Sequence, residues 1–175
     1  MESYNHSDMK YDLYWTLIEA GIYVDMEKKI GSTRTDILAE INGHILAIEI
    51  QNTPIPIKSI IRRMREHYVY GAYTLWLINE DLIQPKKYPR NLKWLNFIQA
   101  IQNGVLFLPT GTSKIIPARI DNSLILKSNR IVVDKKFLLK TSPIELDELQ
   151  FEKNYAGLNT VTVDEWWLRA YAEII

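Results

Sequence analysis

At 175 residues the chain is long enough for one ordinary domain with a sizeable core and too short for a second independent one. Lysine plus arginine equals aspartate plus glutamate at 21 each, so there is no global basic signature, and any polyanion surface must be a local patch. Cysteine is absent, which excludes disulfides, thiolate zinc sites and a cysteine nucleophile. The opening MESYNHSDMK has no apolar signal core, and no stretch approaches the roughly 18 apolar residues of a membrane span. A soluble, cytoplasmic protein with no membrane contact is the expectation.

In chain order, Met9, Leu13, Tyr14, Leu17 and Ile18 recur at helical spacing between about Ser7 and Ala20, and Gly21 supplies a stop. Ile22, Val24 and Met26 alternate with Tyr23, Asp25 and Glu27, the pattern of a half-buried strand. Gly31-Ser32 turns the chain into a hairpin from Arg34 to Gln51. Pro54 and Pro56 then block further strand and suit the start of a helix from about Ile57 to Tyr70, with Ile57, Ile60, Ile61, Met64 and Tyr68 on its apolar side. Tyr73 to Asn79 reads as a strand buried on both faces. A loop with Lys86, Lys87, Pro89 and Arg90 leads to a helix from Asn91 to Gln102, and short apolar segments near residues 105–108, 114–120, 123–126 and 130–139 precede a terminal helix from about Val163. The order predicts an α/β fold: a mixed sheet flanked by helices, in one domain over residues 1–175, with a core at 1–80 and a β-rich elaboration at 81–175 packed on it.

The hairpin carries the chemistry. Asn42-Gly43 suits a type I′ turn, whose two central residues both need positive φ. With those two as the loop, Ile41 pairs with His44, and the register runs outward until Asp36 faces Glu49 and Arg34 faces Gln51. Ile37, Ala39, Ile41, Leu46, Ile48 and Ile50 then share a core face, while Asp36, Glu49 and Gln51 share the other with Leu38 and Ala47. Two opposed carboxylates repel, and a divalent cation between them is the expected remedy.

A carboxylate near one strand end, followed on the neighbouring strand by Glu-x-Gln, resembles the PD-(D/E)xK nuclease superfamily, in which some restriction enzymes also carry Gln at the last position. The succession Glu2-Ser3, His6 and Lys10, then Val24 and Glu27, Arg34-x-Asp36-Ile37-Leu38, Ala47-Ile48-Glu49-Ile50-Gln51, Arg63, His67 and Gly71, and Leu75-Trp76-Leu77-Ile78 looks like the nuclease-like core of the competence protein CoiA family. This resemblance implies a restriction endonuclease-like fold and a metal-dependent deoxyribonuclease acting in DNA processing, recombination or competence. It implies Mg2+ or Mn2+ held by Asp36 and Glu49, Gln51 orienting the attacking water, and His6, Lys10 and Arg63 helping at the phosphate. DNA and recombination proteins are the expected partners, and a homodimer is compatible with the reading.

Lys58, Arg62, Arg63 and Arg65 follow Gln51 directly and form the expected DNA-contacting helix side, which Lys86, Lys87, Arg90 and Lys93 extend; an ordinary solvated face is the bland alternative. Glu27 is either a surface charge or a support for the site. Glu19 ranks behind Asp36 and Glu49 as a metal ligand, His44 is expected to be exposed and inert, and Tyr68, Tyr70 and Tyr73 to be core or rim aromatics. The alternatives to catalysis are a silent nucleic-acid-binding accessory protein and a phage or plasmid interaction protein on the same fold.

Overall fold

The computed structural model describes residues 6–83 and 92–174. Helix α1 (His6–Glu19) is followed by β1 (Val24–Ile30), β2 (Thr33–Ile41), β3 (His44–Gln51), α2 (Ile57–Tyr70) and β4 (Ala72–Ile78). Then come α3 (Lys93–Ile101), β5 (Leu106–Pro109), β6 (Lys114–Lys127), β7 (Arg130–Lys140), β8 (Ile144–Glu145), β9 (Gln150–Lys153), β10 (Asn159–Thr162) and β11 (Tyr171–Ile174). The expectations for Lys86, Lys87, Arg90 and the start of the third helix at Asn91 lie outside the described residues, as does Glu2-Ser3.

The strands make one mixed sheet in the order β1-β2-β3-β4-β5-β6-β7-β11, with β8 on β6 and β10 bridging β4 and β9. Pairing is antiparallel except where β3, β4 and β5 meet and where β10 joins β4. The two parallel steps are those whose connections contain α2 and α3, as parallel neighbours require a crossover long enough to return the chain. Apolar residues alternate through β4 accordingly. Leu75 and Leu77 join the core beneath α1, while Trp76 and Ile78 join the core beneath α2 and α3.

Asn42 and Gly43 have φ of 52° and 77°, so the hairpin turn is the type I′ that its sequence predicts. Its register also runs as expected, from Ile41–His44 to Ile37–Ile48. Ile37, Ala39, Ile41, Leu46, Ile48 and Ile50 all lie in the α1-side core. Burying each of the five isoleucine and leucine side chains is worth roughly 1.5–3 kcal/mol, which fixes the register firmly because a one-residue slip would turn all of them to the other face. Gly71 closes α2 in a left-handed cap at φ 89°, its N–H reaching the His67 and Tyr68 carbonyls.

Two expectations fail. The terminal helix is a short 3-10 turn, Trp166–Arg169, followed by β11, because the segment completes a sheet edge on β7 and tucks Trp166 into the α1-side core. His44 is half-buried, not exposed: its ring stacks on Phe151 at 4.2 Å and meets the edge of Tyr73 at 5.3 Å.

Candidate active site

The hairpin ladder changes character one step beyond Ile37–Ile48. On the β1 side, Met26 pairs with Ile37 and Lys28 with Thr35, and Glu27 between them sits at φ 55°. A non-glycine residue in this region costs on the order of 1–2 kcal/mol. Two cations hold it there. Arg34 donates to the Glu27 carbonyl at 3.3 Å, and buried Lys10 of α1 forms an ion pair with its carboxylate. The Lys10 ammonium lowers the Glu27 carboxyl below the usual carboxylate range.

Asp36 takes part in this irregularity. Its Oδ2 accepts the Ile50 backbone N–H at 2.8 Å, so the side chain replaces a ladder partner, and His6 Nε2 of α1 lies 3.1 Å from the same oxygen. That hydrogen bond raises the His6 pKa, with the Asp36 charge adding and burial opposing. The Glu49 charge is also felt at His6, which puts both carboxylates in one electrostatic neighbourhood.

Glu49 turns toward α2 and has no exposure to solvent. Its Oε2 accepts from Arg63 Nη1 at 3.1 Å, and its Oε1 accepts from the Thr35 hydroxyl at 2.7 Å with His67 Nε2 3.3 Å away. The α2 side is thus shared by Glu49 and Thr35, while Asp36 bonds to α1. This differs from the expected side-by-side carboxylates, and the reason is the break in regular pairing at Glu27 and Asp36, which strand alternation alone cannot foresee.

Four candidates that are distant in sequence, His6, Lys10, Asp36 and Glu49, are therefore gathered at the end of β2 and β3 with Glu27 and Arg63. Gln51 is buried two residues beyond Glu49. Glu19 is not among them: it ends α1, about 20 Å along the helix from His6. Lys58, Arg62 and Arg65 are exposed and, with Ile61 and Glu66, line a groove of about 410 Å³, whereas Arg63 on the same helix turns inward to Glu49. Tyr68 is exposed beneath the Lys153 ammonium, 5.7 Å from its ring. A cavity of about 790 Å³ lined by Ile55, Leu82, Leu92 and Trp94 holds none of the carboxylates.

Sequence reasoning missed Thr35 altogether and gave His67 no role. His67 carried a signal, because it continues the Ile60 and Met64 stripe of α2 as a polar residue in an apolar series. Thr35 did not: strand parity assigns it to the face of Ile37, Ala39 and Ile41, opposite to the α2 side where it meets Glu49 and His67.

The family described as competence protein CoiA, nuclease-like domain, matches residues 2–155. The chain belongs to that family. The match reaches well past the first 80 residues and takes in α3 and β5 through β9, so the C-terminal strands up to that point belong to the family unit. No curated protein and no solved structure matches the chain. A nuclease-like role in competence is what membership supports. Among the described residues, no helix is long and apolar enough to cross a membrane.

The donor set bears on whether a metal fits. Asp36, Glu49 and Gln51 offer only oxygen ligands of the hard kind that magnesium and manganese prefer. Among the described residues there is no ready cluster of three or more acidic, histidine or cysteine side chains. Magnesium commonly uses only one or two carboxylates and retains water. Asp36 fits such a site, because among the described residues its side-chain hydrogen bonds fall on Oδ2, and its side chain is 14% exposed. Glu49 fits in chemistry, but both of its oxygens are engaged by protein donors.

Proposed function

We propose that the chain is a metal-assisted deoxyribonuclease of the PD-(D/E)xK type with a Glu-x-Gln variant motif. The observation that carries this reading is the convergence of His6, Lys10, Asp36 and Glu49 on one sheet end, where α2, the helix that also carries exposed Lys58, Arg62 and Arg65, supplies Arg63 to Glu49. Asp36 and Glu49 would hold the ion. When bound, magnesium or manganese supplies positive charge at the phosphoryl group and lowers the pKa of water. Each side chain has a part consistent with its surroundings. His6, 38% exposed beside Asp36, offers an imidazole N–H for phosphate oxygen. Lys10 holds Glu27 and, through it, the irregular strand that aims Asp36. Gln51 offers an amide to orient water. Lys58, Arg62 and Arg65 contact phosphates without reading sequence.

One observation favours a second reading, a silent DNA-binding accessory protein: Glu49 is fully buried and already compensated by Arg63. Incubating labelled linear duplex and single-stranded DNA with manganese, magnesium or chelator separates the two. Wild type should cut with manganese and not in chelator, and Asp36→Ala should not cut. DNA bound but uncut under every condition, by both proteins, would give the second reading its place.

A further inference from the structure

Glu49 is held asymmetrically. On the Oε1 side the donors are fixed and dry. The Thr35 hydroxyl has one proton and gives it to Glu49 at 2.7 Å, so toward His67 Nε2, at 3.1 Å, it can only accept. His67 therefore carries a proton on Nε2, and its Nδ1 shares a hydrogen bond with the Thr74 hydroxyl at 2.8 Å. Thr35, His67 and Thr74 are all essentially without solvent exposure. This chain of hydroxyl, imidazole and hydroxyl runs from β2 through α2 to β4 and clamps one oxygen of Glu49 in place.

The Oε2 side is different. Arg63 reaches it through Nη1 at 3.1 Å, the side chain is 25% exposed, and its Nε is buried with no partner among the described residues. A guanidinium carries five N–H donors suited to paired bonds with one carboxylate or phosphate, and here that capacity is left partly unused. The same helix presents Lys58, Arg62 and Arg65 to the outside, where a polyanion backbone would pass. Removing Arg63 without a replacement would strand a buried charge.

Resting on the nuclease reading above, we infer that Arg63 is the stand-in for the divalent cation on Glu49. Guanidinium and metal ion exclude each other at Oε2, and a phosphate that draws Arg63 outward opens Glu49 to the ion. Metal and DNA therefore bind with positive coupling, while the Thr35–His67–Thr74 clamp keeps Oε1 aimed throughout.

The test measures binding of Mn2+ alone, by electron paramagnetic resonance, to wild type, Arg63→Gln, Arg63→Lys and Arg63→Gln/Glu49→Gln, with no DNA present. Arg63→Gln should bind Mn2+ about tenfold more tightly than wild type, within the usual span of coupling between sites, and Arg63→Lys should fall between them. The double variant should lose the gain. If Arg63→Gln does not fold in chelator, Arg63→Lys carries the comparison by itself, since it keeps the charge but loses the planar fork. Mn2+ affinity unchanged by both Arg63 substitutions overturns the inference, as does a gain that survives loss of the Glu49 carboxylate. Wild-type cutting of DNA with manganese alongside unchanged affinities would sink this inference and leave the nuclease reading standing. The reverse result would keep the exclusion and remove the nuclease.

Discussion

Glu66 shows how a single charged side chain on α2 can join two elements. Its carboxylate accepts the Ser32 backbone N–H at 3.1 Å and the Ser32 hydroxyl, tying α2 to the turn between β1 and β2. Gly31 is required beside it: φ is 61°, and a Cβ there would stand 2.7 Å from Glu66 Cδ. The Ser32 hydroxyl lowers the Glu66 pKa below 4.5, with the Ser32 N–H and the Arg62 charge adding and burial opposing. A carboxyl whose folded pKa is depressed contributes stability that is complete above its unfolded value and lost as the pH falls through the folded one. Thermal melts of wild type and Glu66→Gln should therefore converge as the pH drops below 4.5. The wild-type advantage above that pH should stay under about 1 kcal/mol, because the pair is largely open to solvent. A difference that is constant from acid to neutral pH would show that the carboxylate charge is not what joins the turn to the helix.

Helix α2 divides its cations between two tasks. Arg63 faces the sheet and neutralises Glu49, while Lys58, Arg62 and Arg65 face outward around Glu66. The helical repeat enforces this division, since neighbouring residues such as Arg62 and Arg63 are about 100° apart around the axis. Replacing Arg62 and Arg65 together by Ala should weaken binding to any DNA sequence alike and reduce the slope of log affinity against log salt by about two units, roughly 0.9 per lost phosphate contact. An unchanged slope in a salt titration would assign the outer face to solvent or to a protein partner. For Arg63 the consequence differs, because its loss acts at Glu49.

Across the molecule, late segments of the chain complete the core built by early ones. Trp166, 1% exposed, lies in the same cluster as Leu13, Ile37 and Ile48, and its ring is 5.7 Å from the Arg119 guanidinium. It falls beyond residues 2–155, the stretch that the family matches. Trp166→Ala should cost about 3–5 kcal/mol in urea unfolding, the usual range for emptying a buried aromatic site. A loss well under 1 kcal/mol would mean that the last strand and turn are dispensable additions.

Local chemistry was enough to mark most elements: Asn42-Gly43 and the isoleucine alternation set the hairpin and its register, Pro54, Pro56 and the apolar stripe marked α2, and the ordered Asp36, Glu49 and Gln51 pointed to the family. Those features depend on turn geometry, side-chain period and residue type, all properties of neighbours along the chain. Three outcomes required the folded molecule. The segment after Val163 became a 3-10 turn and an edge strand because β7 offered unpaired hydrogen-bonding groups, which outweigh local helical spacing. Asp36 and Glu49 turned toward different helices because Lys10, 17 positions before Glu27, and Arg34 hold the strand irregular at Glu27. And Glu49 met Arg63, Thr35 and His67 because β2, β3 and α2 pack together, bringing donors from 14 to 18 positions away onto one buried carboxylate whose charge no local rule could have compensated.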